Sequence, residues 1–234
     1  MYGQFFILFG LILVGYYCNK KGYLPMETNK NVGNMVMRVT IPAMLITTIA
    51  GIEITDRVLK AFLFSAAGQA AMMVVFGFLM RQYGRKRGLD SRLLPMLDLT
   101  AGSLNTGFIG LPVTMIFFGQ AGIIYMSAGV LALNLYLWSY GVYLISDKKA
   151  TGAAAIGKSF LQGAINPNCI SILLGLLLAV THTARFVPTV VFGFLTKVGD
   201  LSTPLSLIYI GALAGGSGIV QLFKEKTALE ISVV

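Results

Sequence analysis

Charge is what this sequence has least of. Asp, Glu, Lys and Arg make up 12% of its 234 residues, and nine of them are acidic. A water-soluble domain carries about twice that share, so a surface wetted on every side is excluded. Cysteine is nearly absent too. Cys18 and Cys169 lie about 150 residues apart with no ligand spacing around them, which excludes a disulfide framework and a metal site and leaves two buried, inert thiols. His182, in "VTHTARF", is the single histidine and reads as a surface residue of a connector. There is no nucleophile elbow, no glycine-rich phosphate loop, no paired acids and no Ser/His or Cys/His set at mid-membrane depth. An enzyme is therefore not expected, and neither a cofactor nor a metal is. The opening "MYGQFFILFGLILVGYYCNKKG" lacks the basic start of a secretory signal, since its charges follow the apolar run, and it reads as a retained helix.

What the chain has instead is long apolar runs. Hydrophobic residues make up 56% and the mean hydropathy is +0.78. Ala61–Met80 carries no charge over twenty residues, and at about 1.5 Å per residue it spans roughly 30 Å, one hydrocarbon core. Seven such segments can be drawn, at about 4–18, 32–50, 61–80, 93–118, 121–145, 162–181 and 188–222. No linker or low-complexity stretch divides them. The expected fold is an all-α polytopic membrane bundle of about seven transmembrane helices, a single membrane domain over residues 1–234.

The net charge of +9 follows topology. Connectors 1–2, 3–4 and 5–6 and the tail hold thirteen of the basic residues: Lys20, Lys21, Lys30, Arg81, Arg85, Lys86, Arg87, Arg92, Lys148, Lys149, Lys158, Lys224 and Lys226. The opposite side holds Arg57, Lys60, Arg185 and Lys197, with Arg38 inside span 2, positioned to snorkel to the interface. This positive-inside bias puts the N-terminus outside and the C-terminus in the cytoplasm of a plasma-membrane protein. It removes the case for nucleic acid as a partner.

Two stretches resemble each other. "PMETNKNVGNMVMRVTIPAMLITTIAG" from Pro25 and "PTVVFGFLTKVGDLSTPLSLIYIGALAG" from Pro188 each open on proline, meet a second proline at Pro42 or Pro204, and run apolar to glycine. They fall on spans 2 and 7. An odd offset of five turns one copy upside down relative to the other, the inverted-repeat build of many secondary transporters.

Span 4 contains "NTGFIGLP", residues 105–112. Asn105 lies about 18 Å along the axis from Leu93, near the bilayer midplane. Pro112 removes a donor and crowds the Phe108 carbonyl, while Gly107 and Gly110 permit dihedrals other residues avoid. A break here would leave free N–H groups at a positive dipole end facing the midplane, a site for an anion. Glycine and proline also merely kink packed membrane helices, and the residues alone leave both readings open.

This motif with "FFGQAG", the Pro42 helix, "NPNCISILLGLLLA" at 166–179 and the Pro204 helix resembles the auxin efflux carrier family in a bacterial form, from about Phe5 to Gln221. The resemblance implies ten helices in two inverted five-helix repeats, related to the bile acid:sodium symporter fold, with broken fourth helices crossing at the substrate site. It implies transport of small organic anions such as dicarboxylates. By position it makes Asn105, Thr106, Gly107, Phe108 and Gly110 substrate-binding, with Pro42, Pro112 and Pro204 as helix breakers. Against that pattern the chain holds one complete repeat, 1–145, and the first two helices of the second, 160–222. A truncated, inactive fragment or an assembly subunit is the alternative expectation.

Other polar positions in the spans stand as candidates. Asp98 is an acid for proton coupling, sharing a helix face with Gly102 and Asn105, unless it sits at the wet cytoplasmic edge. Asn134 in span 5 is placed with the substrate-binding set, and Gln69 in span 3 either lines a cavity or bonds between helices. Lys197 and Asp200 are expected to pair. Ser103, Ser127 and Ser139 read as small packing residues, and the glycines of "GALAGGSG" at 211–218 as a helix-packing face. Trp138, Tyr16, Tyr17 and Tyr83 read as interfacial anchors. The expected partners are a small organic anion, H+ or Na+ as coupling ion, the lipid bilayer, and a second copy of the chain in a homodimer.

Overall fold

The computed structural model describes residues 2–91, 93–103, 105–145 and 165–216, and every regular element among them is helical. Helix α1 is Tyr2–Lys20. Pro25 begins α2, Met26–Met35; a π turn at Val36–Thr40 leads into α3, Ile41–Ala50. Helix α4 is Asp56–Lys86, opened by Thr55, whose side chain accepts the Val58 N–H at 3.3 Å. Then come α5 (Leu94–Gly102), a π turn at Thr106–Gly110, α6 (Leu111–Tyr136), a π turn at Leu137–Gly141 and α7 (Val142–Ile145). The chain continues with α8 (Pro167–Val180), α9 (Thr189–Asp200) and α10 (Ser202–Gly216).

Among the described residues, five helical stretches are long and apolar enough to cross a membrane: Tyr2–Lys20, Met26–Ala50, Asp56–Lys86, Leu94–Gly141 and Thr189–Gly216. The fourth is two crossings. At Gly119 the backbone takes φ 63° and ψ −157°, a conformation open essentially to glycine alone. The chain folds back there. A Cβ on Gly110 would stand 3.0 Å from Met126 Sδ, whereas sixteen residues of straight helix would separate them by about 24 Å. The expected spans 93–118 and 121–145 are the arms of this hairpin. Of the expected span 162–181, the described helix is the 14-residue Pro167–Val180; residues 162–164 lie outside the described residues.

Neighbouring contacts give the relative directions of the crossings. Gly15 meets Ile208 and Gly215 meets Asn19, so α1 and α10 run parallel. Asn29 Nδ2 donates to the Tyr209 carbonyl at 3.2 Å while Gly199 meets Met44, so Met26–Ala50 runs against Thr189–Gly216. Gly84 meets Leu94 and Asp98 meets Gly77, so α4 and α5 are antiparallel; Gln69 with Tyr125 and Gly77 with Tyr136 make α4 parallel to the second arm. Every pair obeys the alternation read from the charges.

Two kinds of packing hold the bundle. Helix α3 is its most buried element: Ile41, Leu45 and Ile49 pack with Val36, Leu111 and Ile123. The α1–α10 seam instead depends on missing side chains, since Cβ atoms on Gly15 and Gly211 would run into the backbone carbonyls of Ile208 and Ile12. That is small-residue packing of membrane helices, and it is what the glycines at 211–216 do; 217 and 218 lie outside the described residues. The outer face of α1 shows Phe6, Phe9 and Leu13, in keeping with lipid contact.

Candidate functional site

Span 4 does come apart, but upstream of where its glycines and proline suggest. Helix α5 ends at Gly102, and Ser103 turns back on it: its N–H and hydroxyl both donate to the Leu99 carbonyl, at 2.9 and 2.6 Å. Ser103 (φ −82°, ψ 86°) and Asn105 (φ −78°, ψ 68°) are non-helical. Asn105 Oδ1 then accepts the Phe108 N–H at 3.1 Å, capping the next helical stretch, and the Asn105 carbonyl accepts from Gly110 at 3.0 Å with π-type spacing.

Pro112 comes just after the π turn, where the widened backbone spacing accommodates its missing N–H. Gly107 and Gly110 keep negative φ, so the freedom expected of them goes unused. They provide closeness, to Met37 Sδ and Met126 Sδ. The shared face of Asp98, Gly102 and Asn105 is also corrected: the helix ends between them.

Thr106 is 4% exposed, and its hydroxyl has no hydrogen-bond partner among the described residues. Phe108 stacks on Tyr209 of α10, centroids 4.5 Å apart and planes at 27°. Met37 reaches Gly107 from the π turn that precedes Pro42. The break therefore meets two other interrupted stretches, Met26–Ala50 with its π turn and Thr189–Gly216 with its step at Leu201. Pro42 and Pro204 follow those interruptions, and Met37 and Tyr209 make the contacts. Neither contact residue has a local sequence signal; each is found only once the helices cross.

Asn134 Nδ2 donates to Val130 O of its own helix at 2.8 Å. Cavities lie elsewhere among the described residues. One of about 260 Å³ sits beyond α3, between Thr47, Thr48, Gln120, Thr196 and Asp200. Another of about 420 Å³ is bounded by Ser65, Gln69, Thr114, Tyr125 and Met126. Neither is lined by Asn105, which is itself exposed. Gln69 both lines its cavity and bonds between helices, to the Tyr125 carbonyl at 3.3 Å.

Asp98 lies inside the protein, packed among α4, α5 and the end of the hairpin. Its Oδ2 accepts from Tyr140 OH at 2.9 Å and faces Arg81 Nη1 at 3.5 Å. Arg81 read as a topology charge; its partner lies across a helix turn that no local spacing reveals. Arg81 and Asp98 form an ion pair, whereas none joins Lys197 and Asp200. Ser127 and Ser139 hydrogen-bond carbonyls of their own helix. Lys20, Lys21 and Arg87 lie over the rings of Tyr16, Tyr17 and Tyr83 at 5.6, 5.8 and 5.3 Å, as interfacial anchors would. The Trp138 side chain lies outside the described residues. Cys18 and Cys169 are free, the latter buried, and His182 is exposed.

Residues 1–229 match the family model described as a membrane transport protein. The chain is also similar to an uncharacterized transporter of Methanothermobacter thermautotrophicus, 25% identical over 204 residues; the match covers 86% of this chain and 64% of that relative.

Proposed function

Because the chain belongs to the membrane transport protein family, a family that takes in the auxin efflux carriers, we propose that it acts as a secondary transporter for a small organic anion. A dicarboxylate is the class in view, carried across the plasma membrane by alternating access, with the break at Ser103–Asn105 as the anion's place. The observation that carries this reading is Thr106. A buried hydroxyl without a partner costs free energy, and this one sits at the start of a helical stretch, where the backbone dipole favours a negative group. Asn105 holds that start in register and leaves its carboxamide nitrogen on the exposed side. Gly107 and Phe108 shape the floor.

Support for two inverted repeats comes from the antiparallel crossing of Met26–Ala50 and Thr189–Gly216, each begun by a proline and interrupted part-way. A fold of the bile acid:sodium symporter kind would place a second break opposite the first. The relative's greater length leaves room for further helices.

The test is uptake of radiolabelled malonate and malate into vesicles holding the protein, wild type against Thr106→Val. Valine removes a hydroxyl that no group among the described residues uses, so the variant folds with unchanged or slightly higher stability. A hydrogen bond to a charged ligand contributes about 1.5–3 kcal/mol, so a rise in KM of about tenfold or more is expected. Unchanged uptake in Thr106→Val takes the anion away from the break. Uptake that appears only with a longer gene product supplied makes the chain an assembly subunit.

A further inference from the structure

A second polar centre, which the anion reading leaves unused, lies where α4, α5 and the end of α6 converge. Asp98 is its core. Tyr140 OH and Arg81 Nη1 both address Oδ2, while Oδ1 has no partner. The Tyr136 hydroxyl and Arg81 Nε are likewise buried and unpartnered. All of these belong to one pocket. Asp98 Oδ1 crowds the open side of Gly77, the Tyr136 hydroxyl stands 3.1 Å from where a Gly77 Cβ would be, and the same hydroxyl fills the space over Gly102. The groups facing Asp98 are Arg81 from α4, Tyr136 from α6 and Tyr140 from the π turn after it. Arg81 keeps 30% of its side chain exposed and gives the pocket its one wet flank.

We infer that Asp98 is a proton-exchange site, with Arg81 as its positioning residue. A carboxylate fully out of water needs its charge matched and its lone pairs filled. Here one oxygen is served by a phenol and a long ion pair, and the other by nothing. A proton arriving from water along the Arg81 flank adds to Oδ1, the oxygen that no described group serves and beside which the idle Tyr136 hydroxyl lies. Tyr140 keeps its proton and Arg81 its charge. The cluster passes from neutral to a net charge of +1, and loss of the same proton to water returns it. Sodium suits the place poorly, because a guanidinium stands beside the carboxylate and only one carboxylate oxygen and one phenol are free to ligate. A buried net cation draws an anion into the protein. That last link, coupling, rests on the transporter reading; the protonation itself does not.

The test needs no transported solute and so stands apart from the uptake experiment. Infrared difference spectra are recorded between pH steps on the full chain in lipid nanodiscs, in the carbonyl region of protonated carboxyl groups. A pH-dependent band is expected in the wild type and lost in Asp98→Asn. Tyr136→Phe removes an unpartnered hydroxyl, so the fold survives it. The band then shifts in frequency because a polar neighbour of Oδ1 is gone, and Arg81→Gln displaces the pH at which it appears. Replacing sodium chloride with choline chloride leaves the band unchanged. The same spectrum in wild type and Asp98→Asn overturns the inference, as does a band that follows sodium. If Asp98→Asn fails to fold, an unmoved band in Tyr136→Phe overturns it alone.

Discussion

Asn105 has two separable tasks, because its oxygen and nitrogen are engaged differently. Oδ1 closes the first turn after the break through the Phe108 N–H. Losing such a cap costs about 1 kcal/mol, and serine supplies an equivalent oxygen. Thermal unfolding in detergent is therefore expected to show Asn105→Ala less stable by about that amount and Asn105→Ser close to the wild type. If transport falls in both variants, the carboxamide itself is needed beyond the cap; if serine restores it, the cap is the whole contribution. Equal stability of the alanine and serine variants would remove the capping role.

At the scale of elements, the sequence announces its crossings more clearly than its interruptions. Run length and charge placement were enough for six crossings and their alternation, because a bilayer imposes both on any helix. The interruption in span 4 was legible as an event but misplaced by several residues. Glycine and proline look like breakers, yet the π turn accommodates Pro112 and both glycines remain helical. The unwinding falls at Ser103 and Asn105, whose side chains replace backbone hydrogen bonds. The partners of Asp98 were not legible. Arg81 counted among the loop charges, and Tyr136 and Tyr140 gain meaning only when the hairpin brings them back to α5. That hairpin turns on Gly119. Gly119→Ala is expected to lower stability by about 1–3 kcal/mol, measured by thermal unfolding, because its φ of 63° with ψ of −157° suits no Cβ. An alanine variant as stable as the wild type would mean that the turn is made elsewhere.

For the whole molecule, the parallel and antiparallel contacts give relative directions, and the basic residues supply the absolute sense. The ends rich in lysine and arginine, after α1 and α4, are also where cations rest on tyrosine rings. In a background of Cys18→Ser and Cys169→Ser, Glu53→Cys between α3 and α4 is expected to react with a membrane-impermeant maleimide in intact cells. Arg87→Cys, at the far end of α4, is expected to react only after lysis. The reverse pattern inverts the orientation. Glu53 and Arg87 are both exposed, so reactivity reads sidedness and not burial.

The ring pair of Phe108 and Tyr209 ties the broken fourth crossing to the last described helix. Flat aromatic faces have no preferred lateral register as strong as an ion pair's, so one can glide over the other for little energy. If this protein works by rocking one set of helices against another, that contact is a lubricated bearing: it keeps the two sets together while leaving them free to swing.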